Sequence, residues 1–529
     1  MWDAEWRERT WEQLHAPWDL IVIGGGITGA GILREATRFG LRTLLVERAD
    51  FTSGTSSRSS KLVHGGLRYL KNGQIRMTYE SVRERENLLH TGRGLVYPLG
   101  FLMPSYKNDK IPGWVFHAGL ILYDLLAFKW AHQRYPAQDM QDRWPFLRQE
   151  GLICGYRYFD AHTDDARLVL RIIQEAVMDG GTALNYARVE DLLRRNTGEV
   201  CGIVLRDQDP ACSERVVEIE APVVINATGA WADEMRNMIG GHRRLRQLRG
   251  SHLVFPTKKV PLSRAISFWH PHDQRPVFIY PWERTIIVGT TDVDHEENLH
   301  SEPCISAVEA EYLMVAARYA FPPLDLNLKD VLSTFAGVRA VVDTGKEDPS
   351  KESREHVIWQ EDGLVTVTGG KLTTFRVMAQ DALRAIRHLL PGHPPLNRKH
   401  RMLEDPPVEA LLDADLDAPD RLRLLGRYGM YAPEVVASAE SGELEAIGDT
   451  HALWAELRWA ARSEAVQHLD DLLMRRQRLG IVAPKGGIPW LEKIRTITQS
   501  ELGWDDSRWQ QEAEAYTLLW HQCYSLPKE

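Results

Sequence analysis

Gly24, Gly26 and Gly29 stand in a G-x-G-x-x-G spacing directly after the apolar run Leu20-Ile21-Val22-Ile23. Glycines at those positions permit a tight turn and a close backbone approach, so the first N–H groups of a following helix can face a pyrophosphate. Glu47 follows Gly26 by 21 residues, at the end of a second apolar run, Thr43-Leu44-Leu45-Val46. A carboxylate there accepts hydrogen bonds from ribose hydroxyls and repels a 2′-phosphate, which favours FAD or NAD over NADP. Three glycines alone can simply cap a turn. Strand, helix and acid in register make the nucleotide site the better account.

Two later segments favour FAD. The buried run Ala221 to Asn226 ends in Ala227-Thr228-Gly229, placed like the second backbone contact to a nucleotide in flavoproteins with two dinucleotide folds. Gly369-Gly370-Lys371-Leu372-Thr373 lies between a strand and a helix, where the partly positive helix start can face a flavin edge that gains negative charge on reduction. Taken singly, each is also an ordinary strand-to-helix turn with a glycine.

Other chemistries find little footing. Five cysteines, 154, 201, 212, 304 and 523, are widely spaced with no C-x-x-C pair, so no metal or iron–sulfur site is expected and a reducing cytoplasm fits. The net charge of -9 lies entirely in residues 401–529, which hold 14 Lys/Arg and 23 Asp/Glu, leaving residues 1–400 neutral and giving no reason to expect nucleic-acid binding.

The elements that must position these residues follow from periodicity. Strand, glycine turn, a helix over about Thr28 to Phe39 and the strand ending at Glu47 make a β-α-β unit. Further helices are expected around Thr78 to Leu89 and Asp164 to Asp179. The runs Ser251–Phe255, Val277–Tyr280 and Thr285–Val288 suggest an inserted antiparallel sheet, before strand Leu364–Thr368 and helix Thr373–Leu390 return to the nucleotide fold. Beyond Pro391 the chain turns acidic, helical and tryptophan-rich, as a separate domain would.

The fold class is therefore α/β: a Rossmann-like FAD-binding domain, an inserted antiparallel β-sheet substrate domain and a C-terminal α-helical domain. The pieces are an N-terminal helical extension (1–17), the oxidoreductase region (18–395) and the C-terminal domain (396–529). Within the second, FAD-binding parts cover about 18–71, 160–245 and 337–395, and substrate parts about 72–159 and 246–336. Met1 to Pro17 reads as a short amphipathic helix bearing Trp2, Trp6 and Trp11, without the apolar core of a signal peptide. Trp114 to Trp130 is the longest apolar stretch, but His117, Asp124 and Lys129 interrupt it and it falls short of the ~20 apolar residues of a bilayer span. The basic run Arg475-Arg476-Gln477-Arg478 reads as an exposed helical face.

The run Thr55-Ser56-Ser57-Arg58-Ser59-Ser60-Lys61-Leu62-Val63-His64-Gly65-Gly66-Leu67-Arg68-Tyr69-Leu70 resembles the FAD-dependent glycerol-3-phosphate dehydrogenases, whose segment runs T-S-S-x-S-S-K-L-x-H-G-G-x-R-Y-L. Asp164-Asp165-Ala166-Arg167-Leu168-Val169-Leu170, Gly250-Ser251-His252, Gly289-Thr290-Thr291-Asp292, Gly337-Val338-Arg339 and Gly369-Gly370-Lys371-Leu372-Thr373-Thr374 extend the likeness, in order, over about residues 18–395. It weakens after 400 and is absent from the N-terminal extension. The resemblance implies a fold like the D-amino-acid-oxidase-type flavoproteins, glycerol 3-phosphate as substrate and electrons passed to a membrane quinone. It places Arg68, Tyr69, Arg339, Arg354 and Lys371 around the substrate and His252 beside the reacting hydroxyl. Thr55, Ser56, Ser60, Lys61, His64, Gly65, Gly66, Ala227, Gly229, Gly370, Lys371, Leu372 and Thr373 fall with the glycine turn and Glu47 on the cofactor side.

Those residue types suit that substrate. A phosphate dianion needs fixed cations, and guanidinium forks orient as well as bind it, a task for Arg68, Arg354 and Lys371. A C2 hydroxyl losing hydride must also lose its proton, and a neutral imidazole, His252, can take it while Arg339 keeps that imidazole neutral and steadies alkoxide charge. His252 can equally be a hydrogen-bonded structural histidine. His64, next to Gly65 and Gly66, suits packing against flavin better than chemistry. Residues Trp114 to Trp130 can lie in a membrane interface, for peripheral attachment to the inner face of the cell membrane, or in a core. A peroxide-forming glycerol-3-phosphate oxidase, an amine oxidase of the same fold and a flavin-binding scaffold without turnover are the competing readings. A homo-oligomer is among the assemblies open to the chain.

Overall fold

The computed structural model describes residues 2–3, 5–67, 74–127, 130–209, 212, 214–346, 352, 355–392 and 400–527. Its first sheet has six strands in the order His356–Glu361, Leu364–Gly369, Val224–Asn226, Leu20–Ile23, Thr43–Val46, Thr182–Leu184. All neighbours are parallel except the first pair. Leu20–Ile23 and Thr43–Val46 are buried throughout, the signature of a strand covered on both faces and the reason their sequences are unbroken apolar runs. Helices Ile27–Arg38, Asp165–Met178 and Phe375–Ile386 pack together against this sheet. The side chain of Asp164 caps the second, accepting from Arg167 N at 3.2 Å. Ala187–Arg194, Val200–Asp207 and Val216–Glu220 form a separate antiparallel three-stranded sheet.

The inserted sheet is larger than its sequence signals and is not wholly antiparallel. Among the described residues ten strands contribute, and Leu245–Pro256 pairs on one side with Ser333–Val342 and on the other with Thr285–Gly289 and Val293–Asp294. Ala265–Trp269 lies parallel to Val96–Tyr106, and this pair stitches the two inserted stretches of chain into one sheet. Register alone decides that; no local pattern marks it.

Three further expectations change. Arg475, Arg476, Gln477 and Arg478 are buried, not an exposed face. Arg475 Nε and Arg476 Nη1 reach Asp50 Oδ2 at 2.5 and 2.6 Å, Arg475 also pairs with Asp471, and Arg476 Nε donates to the Glu464 carbonyl at 3.0 Å. Buried guanidinium groups are tolerable here because carboxylates from distant parts of the chain meet them. Second, the C-terminal helices form a domain as expected, but its core is continuous with the inserted sheet: Leu457, Leu473, Ile494 and Trp520 cluster with Val254, Tyr280, Trp282 and Phe335. Third, Cys304 and Cys523 are joined in a disulfide, in place of the scattered thiols that the spacing suggested.

At the N-terminus, helix Trp6–Gln13 carries its tryptophans inward, and Trp2 stacks on Phe51 at 5.4 Å. Arg7 donates to the carbonyls of Asn185 and Tyr186 (2.7 and 2.9 Å) and pairs with Asp207, so the extension is fastened to the nucleotide-binding part. Helix Gly113–Ala127 instead turns apolar residues outward: Trp114 is 73%, Leu125 59% and the following Trp130 67% exposed. No helix of the described residues is long and apolar enough to cross a membrane.

Candidate active site

A cleft of about 450 Å³ opens where strands Leu20–Ile23 and Val224–Asn226 end side by side. Gly24 takes φ +116°, a conformation side chains resist, and a Cβ there would stand 2.6 Å from the Ala227 carbonyl oxygen. A Cβ at Gly29 would overlap the Gly24 carbonyl. The glycine spacing thus lets the first turn of the helix and the Ala227 turn close on each other. Ile27 N donates to Ser56 Oγ at 2.9 Å, which ties the T-S-S segment to the helix start. Glu47 accepts from Gly25 N and Ala49 N at 2.7 and 3.0 Å; burial raises its pKa and these N–H groups oppose the rise.

Of the expected cofactor residues, Gly24, Gly26, Glu47, Thr55, Ser56, Ala227, Gly229, Gly370, Lys371 and Leu372 line this cleft, as does Arg339. Gly29, Ser60, Lys61, His64, Gly65, Gly66 and Thr373 do not; several of them bond to one another or to residues outside the lining. Thr373 Oγ1 accepts from His64 N at 3.1 Å, so two motifs 309 residues apart meet. Gly65 N donates to Tyr123 Oη and Asp160 Oδ1 at 3.0 and 3.1 Å. Lys61 departs from its expected cofactor contact: its buried Nζ lies 3.2 Å from Asp165 and donates to Ser57 O at 3.2 Å. Glycine turn, helix start and cleft fit the pyrophosphate and ribose of FAD. Arg68, Tyr69 and Arg354 lie outside the described residues.

His252 is buried on the strand Leu245–Pro256, opposite Phe335 on one side and Gly289 on the other. Its ring stacks on Phe335 with centroids 4.4 Å apart and planes 9° from parallel. Nε2 lies 2.9 Å from Ser60 Oγ. Burial first, then the Lys61 and Arg339 cations, push its pKa well below the usual 6.5, so the imidazole is neutral at neutral pH. The sequence credited Arg339 with this; burial and Lys61 weigh more. Arg339 pairs with Asp292, whose other oxygen takes Arg275 at 3.1 Å. Buried Glu309 accepts from Ser251 Oγ and Thr291 Oγ1 at 2.8 and 2.7 Å, which binds the G-S-H and G-T-T-D motifs into one wall. Phe335 and Glu309 escaped sequence reasoning, hinted at only by their nearness to the recognised motifs, and Gly289 was read there as part of a motif without its contact with His252.

A dinucleotide cradle with a buried imidazole on an adjoining sheet is the framework of a dinucleotide-dependent oxidoreductase. Residues 19–382 match the family FAD dependent oxidoreductase, and residues 393–509 the C-terminal domain of alpha-glycerophosphate oxidase. The chain is 32% identical over 525 residues to an aerobic glycerol-3-phosphate dehydrogenase of Staphylococcus aureus strain bovine RF122, covering 94% of this chain and 93% of the relative. It is 33% identical over 484 residues to that of strain USA300, covering 87% and 86%. Among solved structures it is similar to the glycerol-3-phosphate dehydrogenase of Bacillus halodurans complexed with FAD, with TM-score 0.80 and 28% identity over 99% of this chain and 98% of that one. The L-alpha-glycerophosphate oxidase of Mycoplasma pneumoniae shares the fold, with TM-score 0.57 and 16% identity over 73% of this chain and 98% of that one. The chain belongs to the aerobic glycerol-3-phosphate dehydrogenase family of FAD-dependent oxidoreductases.

Proposed function

We propose that this protein oxidises glycerol 3-phosphate at C2 to dihydroxyacetone phosphate and passes the electrons to a quinone. The observation that carries this reading is His252, a buried imidazole kept neutral by its surroundings, on the sheet that also brings Arg339 to the cleft wall. Bound FAD supplies the hydride acceptor. The chain supplies a base and a clamp. The His252 imidazole takes the hydroxyl proton as the C2 hydrogen departs, because a carbonyl formed with that proton in place would be cationic. Arg339, beside Asp292, steadies negative charge on the oxygen. Arg68, Tyr69, Arg354 and Lys371 hold the phosphate end, and pinning one end of a three-carbon substrate aligns its central C–H bond.

Anaerobic addition of glycerol 3-phosphate to the yellow holoenzyme should bleach the flavin; unchanged absorbance would sink the proposal. Reduction of a soluble quinone analogue without oxygen uptake separates this enzyme from a peroxide-forming oxidase. The exposed apolar face of helix Gly113–Ala127 supports peripheral attachment to the cytoplasmic face of the membrane.

A further inference from the structure

The buried cations of the Arg475–Arg478 turn have no part in the reaction as described, yet one of them ends beside it. Arg478 adopts a left-handed conformation (φ +61°), and its Nη2 donates to Ser57 O at 2.6 Å and to Asp165 Oδ1 at 3.1 Å. Asp165 holds the next residues of the same loop: its Oδ2 accepts from Ser59 N and Ser59 Oγ at 3.0 and 2.8 Å, and both its oxygens take Lys61 Nζ at 3.2 Å. Lys61 itself has φ +54°, so this turn is kept in shape by its partners more than by its own backbone preference. Ser60, at the centre, places Oγ 2.9 Å from His252 Nε2, while its carbonyl accepts from Tyr280 Oη at 2.6 Å.

We propose that Arg478 is a positioning residue for the oxidation: with Asp165 it fixes the Ser57–Lys61 loop so that Ser60 meets His252 and orients the imidazole. The inference rests on His252 being the base. It gives the C-terminal region a share in the chemistry, through a residue more than 400 positions from the loop it holds. A guanidinium fork holds a carbonyl and a carboxylate at a set angle more closely than an ammonium does, and a misplacement of about 1 Å can slow a reaction about 100-fold. Attachment of the C-terminal helices does not hang on this contact alone. Arg475 and Arg476 bind Asp50, and Arg167 pairs with Glu464 at 2.5 Å.

The test is a double-mutant cycle on holoenzyme, reading the rate of anaerobic flavin reduction by glycerol 3-phosphate for Arg478→Gln, Ser60→Ala and the pair. Arg478→Gln should keep its FAD and bind substrate within about twofold of the parent, while reduction slows about 10- to 100-fold. Ser60→Ala should slow it comparably, and the double variant no further than the slower single, because both act through one contact. Arg478→Lys should recover part of the rate. Reduction by Arg478→Gln at the parental rate, or losses that multiply in the double variant, would overturn the inference. Should Arg478→Gln yield no holoenzyme, Arg478→Lys takes its place in the cycle, and the same two results would overturn the inference. His252→Gln runs alongside: parental reduction there overturns both the base assignment and this inference, whereas slow reduction there with multiplying losses in the cycle overturns this inference alone.

Discussion

Gly289 lies directly across from His252 on the neighbouring strand, and the imidazole ring fills the space that a side chain at 289 would need. A glycine in a strand interior normally weakens it, so this one marks a place where another group comes close. Gly289→Ala should therefore displace the His252 ring while leaving the cofactor cleft alone. We expect FAD content to stay at the parental level and flavin reduction to fall about 100-fold, as a 1 Å misplacement can cause. A parental rate in the alanine variant would show that the ring position is not critical.

The pH dependence of flavin reduction follows from the same ring. Its pKa lies well below 6.5, chiefly through burial and then through the Lys61 and Arg339 cations. The free base is thus already the main form at pH 6.5, and the rate should be flat from there to neutrality, its acidic limb appearing only at lower pH. Stopped-flow reduction between pH 5 and 8 measures this; a limb centred on or above 6.5 would contradict the assignment of His252.

Gly29→Ala tests the cofactor cradle. With a Cβ overlapping the Gly24 carbonyl, the first helical turn cannot close on the strand end. The variant should purify colourless, or lose FAD on gel filtration, and the absorbance ratio at 450 and 280 nm reads this directly. Full FAD occupancy would show that the turn relaxes freely.

Asp164 links stability to pH. Burial alone would raise its carboxyl, but Arg427 at 3.0 Å and Arg478 outweigh burial and hold it at about 2, below the usual 3.8. A carboxyl whose folded value is lowered contributes stability in full above pH 3.8 and loses it as pH falls towards 2. Arg427→Met should cost about 3 kcal/mol at pH 7, by leaving a buried carboxylate without its nearest cation. It should also flatten the acid dependence below pH 4. Urea unfolding at pH 3, 4 and 7 checks both, and a variant as stable as the parent at pH 7 would rule out a strong pair.

Membrane attachment is testable on the exposed helix. Trp114→Ser with Leu125→Ser removes two outward apolar side chains without touching the buried Tyr123. Sedimentation with anionic vesicles should drop several-fold while reduction of a soluble acceptor persists. Undiminished sedimentation would place the contact elsewhere.

Much of the nucleotide-binding half is local chemistry and was legible in the residues. The strand Leu20–Ile23 appears where its unbroken apolar run put it, and the helix expected over Thr28 to Phe39 spans Ile27–Arg38. The strand expected at Ser251–Phe255 extends over Leu245–Pro256. Arg246, Gln247 and Arg249 hid its beginning, since polar residues join a strand readily when partners flank it on both sides.

By itself the sequence determined the chemical vocabulary: a glycine turn before a helix, an acid at a fixed distance, and a histidine and cations in motifs that tie the chain to one family. Tertiary structure decided who meets whom. Ser60 reaches His252 across 192 residues, Asp50 meets Arg476 across 426, and Arg478 lies buried where its own neighbourhood suggested solvent. The physical reason is that periodicity and turn geometry act over a few residues. A charge can be buried only where a counter-charge waits, and its position is set by how sheets and helices pack, not by the residues beside it.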